Sequence, residues 1–143
     1  MRLIRLTLLV HLLLHAALWL CAALLLSTLA EQGHVGRFYQ VLSGALIIHL
    51  GSYHWAMVQW QDDLCEGRGL PGSLLTALVT ITLGMWALLL PEVALYPVLA
   101  AVVLLVWQES WGRIARYIQP WYLRLRWLQM GSLVLTQIIV VLS

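Results

Sequence analysis

Four of the five histidines stand inside long apolar stretches, where imidazole is an unusual side chain. Polar side chains in hydrocarbon are costly and usually face the interior of a helix bundle, so each one is a candidate functional residue. Neutral imidazole is also a common ligand of metal ions and of haem iron. The four are His11 and His15 in the first apolar stretch, and His49 and His54 in the second.

The spacing of these histidines predicts two pairs. If the two stretches form antiparallel membrane helices, His15 lies level with His49, and His11 lies level with His54. His11 and His15 share a helix face, whereas His49 and His54 are roughly 140° apart around an ideal helix. Two imidazoles at the same level on facing helices could bind a b-type haem or another metal. The alternatives are hydrogen bonds between helices, or contacts to a quinone, a lipid or a partner's helix; we favour the hydrogen bonds, and no cofactor.

Small residues in the second stretch predict close helix packing. Gly44 and Gly51 are seven residues apart and therefore share a face, on which another helix can approach closely. His54 and Trp55 follow in the same stretch. This face packs either within the bundle or against a partner protein, and packing within the bundle is the simpler interpretation.

Arginine and aromatic side chains crowd one region near the end of the chain. Amphipathic indole rings favour the headgroup level of a bilayer, and guanidinium groups bind lipid phosphates. The alternative is that the arginines only set the orientation of the chain. Arg124 and Arg126 are two apart, so one of them is expected to turn toward the protein. The residues concerned are Arg113, Arg116, Trp121, Tyr122, Arg124 and Arg126.

The elements that position these side chains are membrane helices. Of the 143 residues 62% are hydrophobic and 10% are charged, whereas a soluble domain has about 25% charged residues. The mean hydropathy is +0.89. We therefore predict an all-α integral membrane bundle in a single domain. Its five transmembrane helices are expected at about 6–29, 38–60, 74–90, 93–107 and 127–142, with an interfacial segment at about 108–126.

The basic residues predict the orientation of this bundle. All eight are arginine, and seven fall on one side of the five predicted spans, with only Arg37 on the other. Because basic loops stay in the cytoplasm, the N-terminus is expected inside and the C-terminus outside. The predicted location is the bacterial inner membrane.

Several sequence motifs of known activities are absent, and this limits the functions that we expect. The sequence has no Walker loop, no nucleophile elbow and no zinc-protease motif, so we expect no enzyme. The segmentation above places no acidic residue and no arginine deep in a span, which argues against ion-coupled transport. Nothing in the chain indicates nucleic-acid binding.

Two stretches resemble a known family. Residues 43–55 read SGALIIHLGSYHW and residues 120–126 read PWYLRLR. They are similar to motifs of the transmembrane protein 69 family, five-span proteins of bacteria and mitochondria without an established activity. The resemblance implies a divergent member with a five-span fold. Of the four membrane histidines only His54 matches the family's motif, while Ser52 and Tyr53 replace its usual small pair.

These observations lead to three expectations about function. The favoured one is a non-catalytic accessory or assembly subunit of a larger, respiratory inner-membrane complex, with other membrane subunits and phospholipids as partners. The second is a small electron-transfer protein that contacts haem or quinone. The third is a carrier of a small molecule or lipid.

Overall fold

The computed structural model describes residues 2–27, 32–64, 71–111 and 120–142, and this part of the chain is helical. A short 3-10 turn at Pro91–Val93 separates the third and fourth of its five α-helices. The helices are α1 (Arg2–Leu26), α2 (Gln32–Leu64), α3 (Pro71–Leu89), α4 (Leu95–Trp111) and α5 (Pro120–Leu142).

The ends of α4 and α5 differ from the predicted ones. α4 continues to Trp111 and α5 begins at Pro120, so both helices extend into the segment 108–126 that was predicted to lie in the interface. Proline is well tolerated in the first turn of a helix, where its missing N–H is not needed. The polar residues Glu109 and Arg126 do not end the helices, because both find partners inside the bundle. Residues 112–119 lie outside the described part.

Three of the helices are long and apolar enough to cross a membrane. These candidate spans are Leu9–Leu26, Gly33–Gln59 and Gly72–Leu89, and α4 is a shorter apolar helix. Only 28% of the α1 span is buried within the chain, and large side chains such as Leu12 and Leu20 point outward. Outward apolar faces of this extent suit a protein that crosses a membrane several times.

Each helix packs against its neighbours in a closed ring. α1 contacts α2 and α5, α3 contacts α2 and α4, and α4 contacts α5; α2 also reaches α4 across the middle. Their shared core consists of buried apolar side chains, among them Leu18, Ile47, Val98, Leu105 and Leu133.

Side-chain contacts give the direction of each helix. Along α1, His15 and then Trp19 meet Gln129 and then Ser132 of α5, so these two helices run parallel. Along α2 the order is reversed. Tyr39 donates to Thr136 of α5, while the later Leu50 accepts from the earlier Arg126. α2 is therefore antiparallel to α5.

α2 and α3 form the closest helix pair of the bundle. A Cβ added to Gly84 of α3 would lie 2.8 Å from the backbone nitrogen of Ile48, and one added to Gly44 would lie 3.0 Å from the carbonyl oxygen of Gly84. Gly51 is equally close to Ile81. The glycine face predicted at Gly44 and Gly51 is thus occupied by α3 of the same chain.

Candidate functional site

A buried ion pair joins the end of α4 to the start of α5. Arg126 Nε donates to Glu109 Oε1 over 2.6 Å, and both side chains are fully buried. Arg126 Nη2 also donates to the carbonyl oxygen of Leu50, at 3.4 Å, and Nη1 lies 3.5 Å from the hydroxyl of Tyr122. The guanidinium thus ties α5 to both α2 and α4.

His54 lies next to this pair. Its Nδ1 is 4.0 Å from Glu109 Oε1, which is too far for a hydrogen bond. Within the described part of the chain, both ring nitrogens of His54 and the second oxygen of Glu109 have no hydrogen-bond partner. The carboxylate of Glu109 therefore has one oxygen without a hydrogen bond, next to an imidazole that also has none.

The ion pair corrects one prediction. Arg126 was expected at the lipid headgroups, but its partner Glu109 and the carbonyl of Leu50 hold it inside the bundle. That no acidic residue and no arginine lies deep in a span stays a prediction, because burial within the bundle does not give depth in a membrane. Arg124, two residues away, is exposed.

A row of aromatic rings connects this pair to α1. The ring of His11 lies 4.9 Å from that of His49, and His49 lies 5.0 Å from Tyr53. Tyr53 is 6.1 Å from Tyr122 of α5, and the Tyr122 ring lies 5.8 Å from the Arg126 guanidinium carbon. Polar rings therefore run across three helices of the bundle.

The histidines pair differently from the prediction. His49 contacts His11 rather than His15, a shift of about one helical turn. The prediction aligned the helices by the ends of their apolar stretches, whereas side-chain packing sets their actual register. Because the two rings touch edge to face, no space for a porphyrin lies between them. In the described ranges no three histidine, cysteine or acidic side chains gather as a metal site.

A groove opens between α1 and α5 beside His11. Its volume is about 470 Å³, and leucines dominate its lining together with His11, His15 and Gln129. His15 Nδ1 lies 2.9 Å from the carbonyl oxygen of His11, which makes Nδ1 the donor, and His15 Nε2 lies 3.4 Å from the carbonyl oxygen of Gln129.

The remaining predicted residues have varied surroundings. Trp55 and Tyr122 are half-buried and Trp121 is exposed. Arg113 and Arg116 lie outside the described residues. Trp121 belongs to a larger exposed set at this end of α4 and α5, which we call the Trp-Arg end: Trp107, Trp111, Trp121, Arg124 and Trp127.

Comparison with known proteins identifies no relative: no family model, no curated protein and no solved structure matches this chain. The resemblance of residues 43–55 and 120–126 to the transmembrane protein 69 family stays a prediction.

Two residues of the site were not singled out in the sequence. Glu109 lies in the last turn of α4 between Gln108 and Ser110, and its pairing with Arg126 depends on how α4 and α5 meet. Gln129 is an amide beside apolar residues of α5. An isolated polar residue in such a stretch is the signal that could have drawn attention to Gln129.

Proposed function

We propose that the chain is a five-span membrane bundle with its N-terminus inside and its C-terminus outside, in the bacterial inner membrane. The parallel arrangement of α1 and α5 supports this, because the start of both helices then lies at one end of the bundle. Arg124 lies near the start of α5, and Arg2 and Arg5 near the start of α1. The positive-inside rule assigns that end to the cytoplasm.

Within that membrane, the chain serves as a non-catalytic accessory or assembly subunit of a larger complex, respiratory in our preferred version. The observation that carries this proposal is the Trp-Arg end, where four exposed tryptophans accompany Arg124. Tryptophan and arginine are enriched at protein interfaces and among their energetic hot spots. The segments between described helices, of which 112–119 is the longest, leave little room for a catalytic domain.

Native purification tests the proposal. Tagged chain expressed at its natural level and extracted in mild detergent should retain membrane partners in fixed stoichiometry. Replacing both Trp111 and Trp121 with alanine should reduce partner recovery about tenfold or more, as expected for hot-spot residues. Trp86→Ala is the matched control, because Trp86 is similarly exposed but lies on α3. A monomer without stoichiometric partners would refute the proposal.

A small electron-transfer protein is the second candidate. His49 contacts His11, whereas the haem version of this proposal was based on His15 with His49 or His11 with His54. The groove beside His11 instead favours contact with a lipid-soluble molecule.

A further inference from the structure

The groove between α1 and α5 combines an apolar mouth with a polar interior. Four leucines form most of the mouth, two on each helix. Leu12 and Leu128 are largely exposed, at 68% and 72% of their surface, so the opening faces sideways into the surrounding bilayer of the five-span arrangement. A molecule that enters here must therefore come from the lipid.

Two side chains of the groove lack the hydrogen bonds that burial normally requires. His11 is 3% exposed and Gln129 is 4% exposed. Neither the two ring nitrogens of His11 nor the amide nitrogen and oxygen of Gln129 have a partner among the described residues. An unsatisfied buried polar group costs about 1–3 kcal/mol. A ligand that bonds to both residues recovers this free energy.

The lining also defines the chemistry of the ligand. Described charged side chains do not line the groove, so a charged head group would stay unpaired there, at high cost. Imidazole and amide can each donate or accept a hydrogen bond. The groove can thus bind carbonyl oxygens, which accept, and hydroxyl groups, which donate.

The positions of the two unpartnered side chains limit the ligand further. His11 lies on α1 and Gln129 on α5, and both line the groove, so a ligand that bonds to both must carry at least two polar oxygens. A ring that bears two oxygens meets this requirement. A volume of about 470 Å³ falls within the usual range of small-molecule sites.

We propose that the groove between α1 and α5 binds a lipid-soluble quinone or its quinol, with His11 and Gln129 bonding to the ring oxygens and the leucines contacting the ring and its tail. This rests on the proposed five-span arrangement and deepens the second candidate function, because it names a ligand and the residues that bind it. It concerns binding only.

Binding can be measured with decylubiquinone. Purified full-length chain in phosphatidylcholine nanodiscs should bind it saturably, one per chain, when its distribution is compared with that in empty nanodiscs. His11→Leu and Gln129→Leu should each weaken binding about tenfold, since each removes a hydrogen bond to a buried partner. Thr80→Val is the control: it also removes a buried, unpartnered polar group, but on α3, away from the groove, and should leave affinity unchanged.

A second variant separates binding from folding. Leu12→Trp fills the mouth and keeps the polar atoms of His11 and Gln129, so it should abolish binding without changing helical content or the unfolding midpoint. Equal affinity in all variants, or no saturable binding by the parent chain, would overturn the proposal. Displacement of decylubiquinone by an equal concentration of dioctanoylglycerol would overturn it as well, and would assign the groove to an uncharged lipid.

Discussion

Glu109 and Arg126 place opposite charges where the bundle excludes water. Their attraction offsets the cost of leaving water only when the geometry is good and the remaining polar atoms are bonded. The 2.6 Å contact is good, whereas Glu109 Oε2 has no partner in the described chain. A pair of this kind adds little net stability, but it strongly penalises the loss of either member.

Arg126→Met should therefore be severely destabilising. It leaves the Glu109 carboxylate buried and unpaired, which typically costs about 3–5 kcal/mol. Combining Arg126→Met with Glu109→Met should restore most of the loss, because an apolar pair of similar volume replaces the ion pair. Unfolding free energies in detergent, measured with increasing denaturant, check both expectations.

Arg124→Met is the matched control for that series. Arg124 is exposed on the same helix, so its replacement should change stability by less than about 0.5 kcal/mol. If Arg126→Met were as mild as Arg124→Met, the guanidinium would not be held as described.

The described histidines differ in their contacts, because each has different neighbouring side chains. His54 is fully buried beside the ion pair, whereas His11 joins the row of rings and lines the groove. His15 donates from Nδ1 to the carbonyl oxygen of His11. Of the two described histidines that line the groove, His11 has no partner at either ring nitrogen, which is why the binding proposal rests on it.

At the scale of elements, α2 and α3 depend on small residues where they meet. Lipid is as apolar as the side chains, so membrane helices associate through close packing rather than through the hydrophobic effect. Gly44, Gly51 and Gly84 bring the two backbones together. α2 in turn contacts α1 and α4, so a change where α2 meets α3 also affects the packing of these two helices.

Gly84→Ala should force α2 and α3 apart. The new methyl would lie 2.7 Å from Ile48 Cγ1 and 2.8 Å from the Ile48 nitrogen, and a backbone atom cannot move aside as a flexible side chain can. Overpacking of this kind costs about 1–3 kcal/mol. The expected result is a lower unfolding midpoint of the purified chain.

Gly131→Ala provides the comparison, because a Cβ at Gly131 of α5 meets nothing within 4 Å. Alanine is also the better helix former, so this variant should be at least as stable as the parent. Equal effects of the two substitutions would contradict the close approach of α2 and α3.

At the scale of the whole molecule, polar contacts join α2 to α5 at two levels along α2. Toward the start of α2, Tyr39 donates to Thr136, and Gln137 donates to Gln40. Farther along α2, the carbonyl oxygen of Leu50 accepts a hydrogen bond from Arg126. The two sets hold α2 against α5 at two depths and fix their antiparallel register, while apolar side chains fill much of the space between.

The five-span arrangement predicts that the two termini lie on opposite sides of the membrane. A reporter that is active only in the cytoplasm should work at the N-terminus and fail at the C-terminus, and a periplasmic reporter should show the reverse. An internal control is a fusion after residue 30, which should behave like the C-terminal one. Finding both termini on the same side would refute the proposed topology.

Much of the fold could be read from the residue pattern. Apolar stretches interrupted by Gly33, Gly67 and Pro91 predict separate helices, because glycine and proline disfavour continuation of a helix and hydrocarbon requires every backbone group to be bonded internally. Five helices occupy the five predicted stretches, although their ends differ. The spacing of two residues also predicts that the side chains of Arg124 and Arg126 lie on different faces of the helix.

Tertiary structure alone decided which polar groups meet. Local pattern could not show that Arg126 faces Glu109, or that His49 faces His11 rather than His15, because a register shift of one turn leaves the apolar pattern of both helices intact. Composition and periodicity determine which segments are helical and apolar. The partners across a helix interface depend on side-chain fit between segments far apart in the chain, and this fit created the ion pair and the groove.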